Sequence, residues 1–122
     1  MQKITNSMIE VNRGDELSLS LSLKQDSGTT YTFVEGDKVV FSLYNKGKMN
    51  EKAIIVKEVN ATPGQTSITI SLTSQETKIG DLINKPVEYW YEIEFNDRYT
   101  VVGYDDEGAK KFILYPEGSK IQ

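Results

Sequence analysis

The chain has 122 residues, 14 basic against 18 acidic, a net charge of −4, and neither cysteine nor histidine. That length suits one compact domain able to bury its own core. The missing residue types exclude disulfides, thiolate metal sites, zinc fingers and Ser-His-Asp or Cys-His catalysis, and the mixed, mildly acidic charge offers no basic block for nucleic acid or an anionic membrane.

The first residues, "MQKITNSMIEVNRGD", hold no continuous hydrophobic segment of the kind a secretory leader needs. No apolar run approaches the ~20 residues that span a bilayer. The expectation is a protein made in the cytoplasm without a cleaved leader. Arg13-Gly14-Asp15 follows, a triplet that some extracellular ligands present to adhesion receptors. Here it sits between "MIEV" and a long strand pattern, where Gly14 supplies a permissive backbone and Asp15 a turn-forming side chain. Short motifs match by chance so often that the turn reading is favoured over the receptor reading.

From there the hydrophobic period is two almost throughout. In "ELSLSLSLK", Leu17, Leu19, Leu21 and Leu23 share one face, and Ser18, Ser20, Ser22 and Lys24 the other. A one-residue slip would expose all four leucines, so this strand has a firmly specified register. "QDSG" is a polar turn and "TTYTF" resumes an extended path. "EGDKVVFSLY" reads as turn and strand, with Val39, Phe41 and Leu43 facing together. "NKGKMN" connects it to "EKAIIVKEV", a strand whose apolar run Ala53–Val56 is too continuous to assign a face. Pro63-Gly64 marks the next turn, before "TSITISL" with Ile68, Ile70 and Leu72 aligned.

The period then changes. Thr73 with Glu76 three residues later fits a capping box, and Gly80 supplies a stop, which predicts one helical turn near residues 73–79. After Pro86, "VEYWYEIEF" places Val87, Tyr89, Tyr91, Ile93 and Phe95 on one face and Glu88, Trp90, Glu92 and Glu94 on the other. "NDR" is a tight hairpin candidate leading to "YTVVGY", and "DDEG" is a turn before the last strand, "KFILY". The prediction is therefore all-β: an antiparallel β-sandwich of about seven to nine strands, a single domain over residues 1–122 with its core from about 8 to 116 and short polar termini. A helical turn before an aromatic-rich strand resembles the E-to-F crossover of immunoglobulin-like sandwiches.

Candidate sites are few. Trp90 is the sole tryptophan and is predicted to point outward among glutamates, where it suits a protein interface or, with Tyr44, Tyr99 and Tyr104, a sugar-stacking platform. The interface reading is favoured, because one aromatic without a second at matching spacing is a weak carbohydrate signal. Glu88, Glu92 and Glu94 read as a solubilising face rather than a catalytic pair, which would need an apolar cleft to raise one pKa. Asp105–Gly108 lacks the spaced oxygen ligands of a calcium loop, and no glycine-rich phosphate cradle is present. Neither a catalytic site, a metal site nor a cofactor is predicted.

The combination of "MIEVNRGDELSLSLSL", "GTTYTFVEGDKVVFSLYNK", "SITISLTSQETKIGDLINKPVEYWYEIEF" and "YTVVGYDDEGAKKFILYP" resembles the immunoglobulin-like N-terminal domain of phage baseplate upper proteins and related small phage and prophage structural proteins of Gram-positive bacteria. The matching features are the Arg13-Gly14-Asp15 turn, the strand with Gly36, Asp37, Val39 and Phe41, and the turn over Leu72–Thr77 ahead of Tyr89 and Tyr91. The resemblance implies a non-enzymatic virion component, with other virion proteins or a second copy of itself as partner, and neither nucleic acid nor membrane. It makes Arg13, Gly14 and Asp15 a structural turn, and Trp90, Glu88, Glu92, Tyr99 and Tyr104 the candidate interface. A host-surface glycan is the alternative ligand. Members of that family continue into helical and receptor-proximal regions, whereas this sequence ends at Gln122, soon after the resembling stretch closes at about Pro116; tail and capsid docking both stay open.

Overall fold

The computed structural model describes residues 2–5 and 8–117. Its strands are β1 (Gln2–Thr5), β2 (Met8–Asn12), β3 (Leu17–Leu21), β4 (Lys38–Asn45), β5 (Ile55–Asn60), β6 (Ile68–Leu72), β7 (Val87–Phe95), β8 (Tyr99–Val102) and β9 (Lys110–Tyr115). They form two sheets. The larger runs β1-β2-β9-β7-β4-β5, with β8 on β7, and the smaller is the pair β3-β6. Every pairing is antiparallel except β2 with β9, where Ile9 faces Phe112 and Asn12 faces Tyr115.

The two-residue rhythm determines which side chains meet between the sheets. Leu17 and Leu19 from β3 and Ile68, Ile70 and Leu72 from β6 are buried against Val39, Phe41 and Leu43 of β4, Tyr89, Tyr91 and Ile93 of β7, and Phe112 and Leu114 of β9. Rings dominate the centre. Phe41 stacks on Tyr91 at 5.5 Å between centroids, and Phe112 closes edge-on to Tyr89 at 6.4 Å. Each such core side chain contributes roughly 1.5–3 kcal/mol by leaving water. The interior is dry enough to push the Tyr91 phenol up to about 12.

Two local expectations change, and one open assignment is resolved. No helix forms among the described residues. Thr73 and Glu76 do make the reciprocal capping bonds, Thr73 N to Glu76 Oε1 at 2.8 Å and Glu76 N to Thr73 Oγ1 at 3.2 Å, but they close only a run of turns. The buried Thr77 ties the segment to the Arg-Gly-Asp turn, and Gly80 at φ +64° breaks the path too soon for a helix to nucleate. "TTYTF" is a loop rather than a strand: Thr30 makes one isolated bridge to Lys24, and Phe33 plugs the core. In β5, Ile55 and Val59 turn inward while Val56 is left exposed, resolving the ambiguous run.

The most consequential irregularity lies between β8 and β9. Ile93 faces Val102, so an unbroken ladder would set Tyr91 against Tyr104; Tyr91 instead faces Lys110, six residues later. The extra residues leave the sheet as a detour that closes on itself by the Asp105–Gly108 bridge.

Candidate functional site

The Arg-Gly-Asp triplet is a turn locked from several directions. Gly14 has φ +89°, a conformation that costs a side-chain-bearing residue about 1–2 kcal/mol. Its N–H donates to Thr77 Oγ1 at 3.0 Å, and the Thr77 hydroxyl in turn donates to the Asp15 carbonyl at 2.8 Å. Arg13 is only 8% exposed. Its guanidinium pairs with Glu117 and donates to the Ile79 and Gly80 carbonyls at 3.3 and 2.6 Å. An adhesion receptor would find no guanidinium to grasp.

A second polar node ties the loops at one end of the sandwich. The buried Asp37 carboxylate accepts from Tyr31 Oη at 2.7 Å, Val34 N at 2.9 Å and Asn96 Nδ2 at 2.9 Å. Burial alone would push this carboxyl up, but the three donors outweigh it and hold it below the ordinary value. Asn96 and Asp97 take φ +53° and +56°, so "NDR" is indeed a tight hairpin turn.

The outward face of the larger sheet carries the aromatic cluster. Register places Tyr44, Trp90 and Lys111 side by side on β4, β7 and β9. The Trp90 indole N–H donates to Glu88 Oε2 at 2.8 Å, and the Tyr44 hydroxyl donates to Glu92 Oε1 at 3.0 Å. Burial, then the Glu92 carboxylate, pushes the Tyr44 phenol up. The detour folds back over this face and lays the Tyr104 ring 6.1 Å from Trp90, tilted by 58°. Tyr104 remains 64% exposed, and Trp90 is half-buried. Lys46 Nζ stands 4.0 Å from Glu88 Oε1 at the margin. The result is an aromatic patch rimmed by alternating charge.

Four of the five residues expected at an interface thus gather here: Trp90, Glu88, Glu92 and Tyr104. Tyr99 does not join them. It pairs with Phe95, whose side chain packs on the core, so Tyr99 emerges on the opposite side of the sheet and lines a cleft there. Sequence spacing missed the Trp90–Tyr104 contact because the six-residue detour brings the two together. The one available signal was the density of turn residues in "DDEG". Asp105, Asp106 and Glu107 cluster within 4.8 Å and are exposed. Lys110 Nζ at 2.8 Å and then the Glu107 N–H at 2.9 Å hold the Asp105 carboxyl below its ordinary value.

The cleft that Tyr99 lines measures about 450 Å³ and lies between the end of β3 and β8, walled by Leu21, Leu23, Tyr31, Phe95 and Val101. A smaller hollow of about 180 Å³ continues along β3 over Leu19, Ile93 and Val102. No helix of the described residues is long and apolar enough to cross a membrane. The chain matches no protein-family model and no curated protein.

Proposed function

We propose that this chain is a non-enzymatic structural module of a phage or prophage virion, an immunoglobulin-like sandwich that docks on other virion proteins through its Trp90 face. The strand order supports the fold reading: β3 and β6 stand as the B–E pair, opposite β9, β7 and β4 as the G–F–C trio. The resemblance of the Arg13-Gly14-Asp15 turn and the Asp37 strand to baseplate upper proteins supports the virion assignment. The observation that carries docking is the Trp90–Tyr104 pair, two large rings gathered on the outer face and surrounded by Glu88, Glu92, Lys46 and Lys111. Aromatic centres with polar rims are the usual anatomy of a protein interface.

Trp90→Ala tests this in co-assembly with phage tail and capsid proteins. Loss of an anchoring tryptophan costs about 2 kcal/mol or more, roughly a thirty-fold weaker complex. Trp90 lies outside the core cluster, so the variant should keep its fold. Unchanged co-assembly would move the docking surface elsewhere. The Tyr104 ring also supplies the second aromatic that a sugar platform needs. A glycan array read by indole fluorescence separates that second reading, since stacking on a sugar perturbs Trp90 and leaves protein co-assembly unaffected.

A further inference from the structure

The smaller sheet has two strands against seven, and no strand pairs with the second edge of β3 among the described residues. An unpaired edge is a template for another chain, and proteins ordinarily blunt it with charge, proline or a bulge. Two other edge strands conform: β5 carries Lys57 and Glu58, and β8 is only four residues long and meets β7 with a register shift at Ile93/Glu94. The outer edge of β6 has β5 packed beside it, with the Lys57–Glu76 ion pair across that side at 3.1 Å. Residues Leu17–Leu23 have neither charge, proline nor bulge, and on their open side lies the apolar cleft between β3 and β8.

We propose that this edge pairs with the same edge of a second copy, antiparallel about a two-fold axis, joining the two small sheets into the four-stranded run β6-β3-β3-β6. The strand's own sequence selects that occupant. Turned antiparallel on itself, "LSLSLSL" sets serine against serine on the outer face and leucine against leucine on the inner face, with no charge in the contact. A lipid or other small apolar ligand would fill the cleft but leave the strand's hydrogen-bonding edge unmatched; an extended strand satisfies both. The partner's leucines then lie across the mouth of the cleft beside Leu21 and Leu23. This inference is independent of the Trp90 face.

Sedimentation equilibrium of the full chain over micromolar to millimolar concentration provides the test. The expected result is a species of twice the 13.8 kDa chain mass. Ser20 is exposed on the outer face, so Ser20→Lys leaves the core intact and brings two like charges together across the axis; it should weaken the dimer at least ten-fold, with a melting temperature equal to the parent's at a dilution where both are single chains. Cysteine replacements at Ser20 and Ser22, the first cysteines in the chain, should yield a disulfide-linked dimer from at least one position on mild oxidation, whereas Ser71→Cys on β6 should not. A single-chain mass at the highest concentration, a lysine variant that dimerises as tightly as the parent, or equal cross-linking through Ser71→Cys would overturn the proposal.

Discussion

Thr77→Val is the sharpest test of how the Arg-Gly-Asp turn is held. Thr77 is fully buried, and its hydroxyl is the acceptor for Gly14 N–H at 3.0 Å and a donor to the Asp15 carbonyl at 2.8 Å, with the Ser74 carbonyl at 3.2 Å as an alternative. Valine keeps the shape and removes the oxygen, so two backbone groups lose this partner. Losing one hydrogen-bond partner costs a buried polar group about 1–3 kcal/mol, and two such losses in the lower part of that range, about 1–2 kcal/mol each, put the variant about 2–4 kcal/mol below the parent. Thr77→Ser is the control, because it keeps the hydroxyl and loses one buried methyl, worth about 0.8 kcal/mol. In urea, with a slope of about 1.5 kcal/mol/M, valine should lower the midpoint by about 1.3–2.7 M and serine by about 0.5 M. A valine variant as stable as the serine variant would refute the assignment of the turn to this hydroxyl.

Two further outcomes follow from the same kind of reasoning. The depressed Asp37 carboxyl contributes stability that is present above its unfolded pKa, about 3.9, and lost as pH falls through the lower folded value. Asp37→Asn should therefore be less stable than the parent at neutral pH and flatter below about pH 4, as read by thermal melts across an acid series; parallel curves for the two proteins would count against it. Gly103 admits no Cβ as the chain stands, since one would lie 2.5 Å from Thr100 Cγ2 and 3.4 Å from Glu92 Cβ. Gly103→Ala should cost about 1–3 kcal/mol and displace Tyr104 from Trp90, shifting indole emission, and Thr100→Ser in the same chain should restore both. Failure of that rescue would mean the crowding lies elsewhere.

Much of the sandwich was legible because one-sided burial writes itself as alternation. Leu17, Leu19, Val39, Phe41, Leu43, Ile68, Ile70 and Leu72 were all assignable to the inner face from their spacing, and all lie in the core. The outward set of β7 was legible for the same reason. What escaped were features set by contacts between residues far apart in the chain. The capping box at Thr73 was read correctly as chemistry, yet it led to an expected helix, because nothing local reveals that Thr77 is claimed by Gly14 and Asp15, some 62 residues away. The Arg13–Glu117 pair has no periodic signature at all. Tyr99 and Tyr104 were both grouped with Trp90 on aromatic identity alone, and the detour after β8 brings only Tyr104 to it.

The parallel pairing of β2 with β9 has a mechanical consequence. The chain enters this pair at Met8 and leaves it at Tyr115, at opposite ends of two strands running the same way. Tension applied between those two points runs along the strands, so their ladder bonds share the load and must fail together, aided by the Arg13 guanidinium clasping Glu117 beyond the last rung. Pulling across β7 and β9 would instead peel bonds singly, and a force spectrum in which the two directions rupture alike would deny the domain this anisotropic toughness.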